Sequence, residues 1–264
     1  QKLAEEELKE AKKKIDSELL ENLAYAKHVH SALLGTNESQ ETRDDSFLIY
    51  KAQKIISGDF YKIEQKENKL MVVVGDSTGH GIAASYISIL ALNILSRLTR
   101  FCWEDPGQIL KTINEELNRI TRHNKERQLF ESADMMFCCI DKELMTLTYA
   151  SARMRAFIIR KGKLILLEKD RCSVGDIQND DFNINTRTID LKKGDCLYIA
   201  TDGLSDQLGG VRDKCIGSKY IKEMIQRLNG LPMTEQKAII EKKLKEWQGS
   251  NQQTDDITVF GIRI

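Results

Sequence analysis

The chain has 264 residues, 41% of them hydrophobic, and its 40 basic residues cancel 40 acidic ones. That is enough apolar material for one large domain or two small ones, and the balanced charge leaves no basic field to attract nucleic acid or an anionic membrane surface. No stretch reaches the roughly 18–20 uncharged residues that cross a bilayer, and the six cysteines (Cys102, Cys138, Cys139, Cys172, Cys196, Cys215) contain no C-x-x-C pair, so they read as thiols of a reducing cytosol and not as a disulfide framework.

Residues 1–34 are rich in Lys, Glu, Ala and Leu and free of Gly and Pro, which predicts one long N-terminal helix. Ala4, Leu8, Ala11, Ile15, Leu19, Leu23, Ala26, His30 and Leu33 step by four or three, as in a coiled-coil seam. The successive steps of four from Ala11 to Leu23 form a stutter that relaxes left-handed supercoiling. For residues 1–20 two readings stay open, a seam that makes a homodimer and an amphipathic helix packed on its own domain; residues 20–34 are expected to touch the core. Residues 35–46 form a polar connector, and residues 47–264 form the main domain. No signal peptide precedes the opening, and Gln1 stands where a methionine would. The expectation is a cytoplasmic chain, either trimmed or the cytosolic part of a longer sensor protein.

The segments DFYKIEQ and KLMVVVGD flank a polar turn, Lys66-Glu67-Asn68-Lys69, and a symmetric antiparallel hairpin about that turn places Asp59 opposite Asp76. Directly opposed side chains lie roughly 4.5–5.5 Å apart at Cβ. Period two puts Tyr61, Ile63, Leu70, Val72 and Val74 on the same face, so the two acids cap an apolar stripe. Carboxylates that close resist joint ionisation unless a cation compensates. The following run, Gly75-Asp76-Ser77-Thr78-Gly79-His80-Gly81, is either a tight strand-to-helix turn or a place where backbone comes close to something bound.

A helical face is predicted over Ile82 to Leu98, and Asp105-Pro106-Gly107-Gln108 opens a second helix carrying Ile109, Leu110, Ile113, Leu117 and Ile120. Strands are predicted near 135–141, 145–150, 156–160, 163–168, 184–190 and 196–201, then helices near 219–228 and 233–248, then a last strand. Leu204 to Ser218, with Gly209-Gly210 and Gly217, reads as a mobile flap. Asp202 ends the run Cys196-Leu197-Tyr198-Ile199-Ala200, and Asp255 precedes Ile257-Thr258-Val259-Phe260. If these strands are antiparallel neighbours, Asp202 meets Asp255. Alone, an Asp-Gly at 202–203 is a turn and Asp255-Asp256 a solvated loop; the four acids together suit hard divalent cations with oxygen ligands.

The order SGDFY, GDSTGHG, a strand ending in TDG and a closing TDDITV resembles the metal-dependent Ser/Thr protein phosphatases of the phosphatase 2C superfamily, in the SpoIIE/RsbU branch, over roughly residues 20–264. The resemblance implies an α+β fold, a four-layer α-β-β-α sandwich of two antiparallel sheets with an N-terminal helical extension, holding two Mn²⁺ or Mg²⁺ ions at one edge. It implies that Asp76 bridges both ions with the Ser77 carbonyl on one of them, that Asp202 and Asp255 hold the other, and that Asp59 is a ligand or orients the ions' waters. Asp256 takes a supporting place. His80 is either a general acid or a shaper of its turn, Lys54 a phosphate contact or a surface lysine, and Asp134 faces the metal edge or lies apart from it. Much of the family reads Ala-Gly-His-Asn-Pro or Ala-Asn-Arg-Pro where this chain has Ala152-Arg153-Met154-Arg155, so Arg153 and Arg155 are either phosphate or acidic-peptide contacts or solvated turn residues.

The implied activity is hydrolysis of phosphoserine or phosphothreonine on a signalling protein, a STAS-type anti-anti-sigma partner, by a metal-activated water without a covalent enzyme intermediate. Two alternatives belong to other classes: a catalytically silent phosphoprotein-binding scaffold on the same fold, and a two-metal hydrolase of small phosphoesters.

Overall fold

The computed structural model describes residues 2–34, 45–79, 81–100, 103–122, 132–176 and 182–264. The connector over 35–44, His80 and Cys102 lie outside the described residues, as do the side chains of Ala4 and Leu8.

Two five-stranded sheets are built from strands that meet their neighbours antiparallel. The first has the order β2 (Asp59–Lys66), β3 (Lys69–Ser77), β4 (Ala133–Asp141), β5 (Thr146–Ala152), β8 (Arg187–Asp190). The second runs β1 (Ser46–Lys51), β12 (Ile257–Arg263), β9 (Cys196–Ala200), β6 (Arg155–Arg160), β7 (Lys163–Leu166). Helices α2 (Ile82–Leu98) and α3 (Pro106–Arg122) cover the first sheet, and α5 (Ser218–Leu228) and α6 (Met233–Gln248) cover the second. The result is the expected α-β-β-α sandwich. Helix α2 has the predicted bounds, and α3 begins where Asp105 Oδ1 accepts from the Gln108 amide at 3.1 Å, satisfying one of the first-turn donors that a helix leaves unpaired.

Because both faces of the second sheet are covered, its strands read as unbroken apolar runs with no polar alternation. Ile158, Leu197, Ile199, Phe260 and Ile262 point at the first sheet, and their neighbours Phe157, Ile159, Cys196, Tyr198 and Val259 point at α5 and α6. One period-two pattern therefore feeds two cores.

Two parts depart from expectation. Ser46–Lys51 is an edge strand, β1, paired with β12 in the register Phe47 to Gly261 and Ile49 to Val259, although its short apolar run Phe47-Leu48-Ile49-Tyr50 does not set it apart in the sequence. The expected flap over 204–218 holds a short helix, α4 (Gly203–Asp206), and a hairpin of β10 (Leu208–Gly209) with β11 (Lys214–Cys215). Trp247 of α6 clasps that hairpin: its indole Nε1 donates to the carbonyls of Gln207 and Lys214, both at 3.2 Å, and its own carbonyl accepts from the Gly210 amide at 2.8 Å.

The N-terminal helix, α1 (Lys2–Leu34), is continuous. Among the described residues its last turns join the core, through Leu33, Leu34 and the buried His30, whose Nε2 lies 3.1 Å from Ser88 Oγ on α2. Ile15, Leu19 and Leu20 are exposed.

Burial pushes the His30 pKa down to about 4, with the charge of Asp256 acting the other way. An unfolded histidine binds its proton near pH 6.5. The folded chain resists that proton, so stability is complete above pH 6.5 and is lost as pH falls towards 4, by about 3 kcal/mol in all. Urea midpoints measured from pH 7 to 4 are expected to fall more steeply for the native chain than for His30→Gln. Parallel slopes would refute this.

Candidate metal centre

The acids converge at one edge of the sandwich because the hairpin register is the one its turn predicts: Asp59 pairs with Asp76, Tyr61 with Val74 and Ile63 with Val72. The next strand places Asp134 opposite Asp76 on the other side. Asp76 is thus flanked by a carboxylate on each neighbouring strand. Burial, followed by the charges of Asp59, Asp202, Asp255 and Asp134, drives its carboxyl well above the ordinary range. Asp76, Asp134 and Asp202 line one groove.

Asp202 and Asp255 arrive from the second sheet. Strands β9 and β12 are antiparallel neighbours, with Ala200 opposite Val259, so the end of one strand meets the start of the other. Asp202 then opens α4, its carbonyl accepting from the amides of Ser205 and Asp206 at 2.7 and 2.9 Å. Gly203 lets this turn press onto the start of β12: a Cβ there would stand 1.9 Å from the Asp256 carbonyl oxygen and 3.2 Å from Asp255 Cβ.

Asp59 ties the two sheets together. It is 1% exposed, and its Oδ2 accepts hydroxyl hydrogen bonds from Thr201 at 2.8 Å and Thr258 at 2.7 Å. Burial raises its carboxyl above the usual range, the two hydroxyls oppose that rise, and the charges of Asp256 and Asp255 add to it. Neither threonine is singled out in the sequence reading, although each adjoins a motif, Thr201 before Asp202 and Thr258 after Asp256-Ile257.

Asp256 has a different task from Asp255. Buried to 4% exposure, it accepts from the Gln53 amide on Oδ1 at 2.6 Å and from the Gly58 amide on Oδ2 at 2.7 Å. It thereby fixes the loop that delivers Asp59. A Cβ on Gly58 would come within 2.8 Å of Ala84 Cβ on α2, which accounts for the glycine of SGDFY.

The other candidates fall around this cluster. Asp134 accepts from Ser173 Oγ at 2.6 Å and lies 3.9 Å from Arg153 Nε. Lys54 is exposed and near the Gly81 turn. Ser77 is buried, and its Oγ has no hydrogen-bond partner among the described residues.

This donor set fits hard divalent cations. It consists of carboxylates and oxygen-bearing neighbours, with no thiolate or imidazole among the described members. Among the described residues no three His, Cys, Asp or Glu side chains are gathered closely enough to hold a metal ion by themselves, so the fit rests on the paired carboxylates together with backbone oxygens and waters. Opposed pairs of carboxylates that leave coordination positions to water are what Mg²⁺ and Mn²⁺ require. The mutual repulsion around Asp76 is the electrostatic counterpart of that fit.

Fold and site together define a phosphatase 2C-type domain. Residues 66–264 match the family model described as stage II sporulation protein E (SpoIIE), and the chain belongs to that family. A curated relative, phosphoserine phosphatase RsbU of Bacillus subtilis (strain 168), is 25% identical over 195 residues, which is 73% of this chain; the chain spans 56% of that relative's length. Among solved structures, the SiaA-PP2C domain of Pseudomonas aeruginosa superposes with a TM-score of 0.84 at 24% identity, covering 95% of this chain and 98% of that one. The PP2C phosphatase domain of SpoIIE from Bacillus subtilis, with a fragment of its regulatory domain, gives 0.66 at 21% identity, covering 84% and 63%. No helix among the described residues is long and apolar enough to cross a membrane.

Proposed function

We propose that the chain is a divalent-metal-dependent protein phosphatase that hydrolyses phosphoserine or phosphothreonine on a signalling protein. The observation that carries this reading is the meeting of the Asp59–Asp76 pair of one sheet with Asp202 and Asp255 of the other. Asp76, flanked on both sides, would bridge two Mn²⁺ or Mg²⁺ ions with the Ser77 carbonyl beside it. Asp202 and Asp255 would hold the second ion. Asp59, with Oδ2 committed to two threonine hydroxyls, keeps its other oxygen for a ligand or for an ordered water. When bound, such ions would supply an acidified water and neutralisation of phosphoryl charge. The chain's own part is to hold five carboxylates in place against their repulsion, which the Thr201, Thr258 and Ser173 hydroxyls and the Asp256 clamp achieve.

The name of the RsbU relative supports phosphoserine as substrate, and we assign the partner to the STAS-type proteins. A cytoplasmic setting goes with that partner. The catalytic domain then begins with β1 at Ser46, one residue before the expected boundary at 47, and runs to 264, with the rest of the 35–46 segment its connector and 1–34 a linker helix, whose exposed Ile15, Leu19 and Leu20 suit pairing with a second copy. A silent phosphoprotein-binding scaffold would have no need of the repelling acids.

The test is turnover of p-nitrophenyl phosphate, a phosphoserine peptide panel and nucleotides by the purified chain. Mn²⁺-dependent release of phosphate from peptides, lowered by about 10²-fold or more on chelation, is the expected result. Turnover indifferent to chelators, or confined to nucleotides, would overturn the reading.

A further inference from the structure

A groove of about 670 Å³ opens from the carboxylate cluster, with Asp76, Asp134 and Asp202 at one end. It runs between the β6–β7 hairpin and helices α4 and α5. Its floor is apolar, from Met154, Phe157, Leu204 and Ile221, and Leu166, exposed to 59%, stands on its rim. Beyond the carboxylate end the charged lining residues are Arg153, Arg155, Lys169, Lys222 and Glu168. Glu168 is engaged outward with Arg187 at 3.3 Å, which leaves the groove wall with a surplus of positive charge on a chain whose net charge is +0.

The cations are placed by backbone and not by chance. Arg153 has φ of 56°, in the left-handed region that an L side chain rarely adopts. The turn is held there from several sides: the Arg153 amide donates to the Asp170 carbonyl at 3.1 Å, its carbonyl accepts from Lys169 Nζ at 2.6 Å, and Ser151 Oγ donates to the Met154 carbonyl at 2.7 Å. A costly conformation kept by its surroundings is characteristic of a functional position. The turn buries Met154 and leaves Arg153 and Arg155 exposed on either side of it. Burial, then the charge of Arg155, and after Asp134's opposing effect that of Arg153, press the Lys169 ammonium below its ordinary range, so these cations feel one another. Among the described residues, neither Arg155 nor Lys222 is held in an ion pair.

We propose that this groove receives the phosphorylated segment of the substrate protein, with acidic side chains flanking the phosphoresidue seated against Arg155, Lys169 and Lys222, and with Arg153 receiving the phosphate oxygens at the carboxylate end. The occupant is an acidic phosphopeptide segment carrying some apolar side chains. The positive wall selects it, and the apolar floor fits those side chains. The assignment rests on the phosphatase reading above, which supplies the phosphate.

Three phosphoserine peptides that differ only in their flanks, acidic, neutral and basic, compared with Mn²⁺-loaded native chain, provide the test. The acidic peptide is expected to exceed the basic one in kcat/KM by about tenfold, a ratio that shrinks in high salt as screening sets in. Arg155→Glu combined with Lys222→Glu is expected to reverse the preference, whereas loss of a merely structural contact would lower all three peptides equally. Arg153→Gly, which suits the left-handed backbone, is expected to keep or raise thermal stability while lowering kcat/KM about tenfold on every peptide. A native ratio within twofold of unity, or a double variant that leaves the ratio unchanged, overturns the groove assignment while Mn²⁺-dependent turnover keeps the phosphatase reading standing. Absence of Mn²⁺-dependent turnover on p-nitrophenyl phosphate and on all three peptides overturns both.

Discussion

Asp76→Asn is expected to lower metal-dependent turnover by on the order of 10³-fold and, at the same time, to raise the melting temperature of the metal-free chain. The second effect follows from the sign of the shift at Asp76. Its carboxyl is raised by burial and by the acids around it, so the folded state holds that proton more tightly than the unfolded state does. The stability this group contributes is present below the unfolded value near 3.9 and is lost as pH rises through the folded one. At neutral pH the group is ionised in the unfolded chain and must take up a proton on folding, which costs stability, and a neutral asparagine of the same shape removes that cost. Divalent ions should invert the comparison. At about a hundredfold excess over Kd they stabilise a single-site protein by about 2.7 kcal/mol, so Mn²⁺ is expected to raise the native melting point and to leave the variant nearly unmoved. Melting curves and phosphate release, each with and without Mn²⁺, check both halves. Equal Mn²⁺ shifts in the two proteins would refute the placement of Asp76 at the centre of the cluster.

Gly203→Ala should be the more damaging change to the fold, although it adds only one methyl group. The atoms in its way are backbone: the carbonyl oxygen of Asp256 at 1.9 Å and its carbonyl carbon at 2.9 Å. Neither can turn aside as a side chain would, so either the turn that carries Asp202 or the start of β12 must shift. Overpacking of this kind costs about 3 kcal/mol, a fall in melting temperature of about 6–12 °C for a domain of this size. Shifting β12 also strains the two amides that Asp256 holds, and through them the loop bearing Asp59. Misplacement by about 1 Å lowers rate by about 10²-fold, so turnover at a temperature where the variant remains folded is expected to drop by that order. Native-like melting and turnover would show that the close approach at Gly203 is slack.

Much of this arrangement is readable from the chain, and the reason is local. The hairpin register follows from one polar turn between two apolar runs, so Asp59 facing Asp76 needs no knowledge of the rest of the molecule. The same holds for α2, whose helical face is written in Ile87, Leu90, Ala91, Ile94 and Leu95, and for the cap at Asp105. What escapes the sequence is contact between distant segments. The hydroxyls on Asp59 come from 142 and 199 residues away, and the Gly58 amide reaches Asp256 across 198; threonine and aspartate at such positions look like ordinary strand-end residues. Strand β1 is hidden for a related reason, since six residues carry too little pattern to stand out until β12 pairs with them. Arg153 is the plainest case. Nothing in its neighbours announces a left-handed backbone, and only the observed φ shows that an arginine occupies a glycine-like place.

Each sheet supplies part of the proposed donor set: Asp59, Asp76 and Asp134 lie on one, while Asp202 and Asp255 sit at strand ends of the other. A chain that has formed both sheets without yet docking them offers an ion only fragments of a binding place. Divalent-metal affinity would therefore report on the final assembly step, since an ion that binds only the docked sheets adds its binding free energy to the assembled state. An unfinished copy would stay inert towards phosphoesters until the halves close.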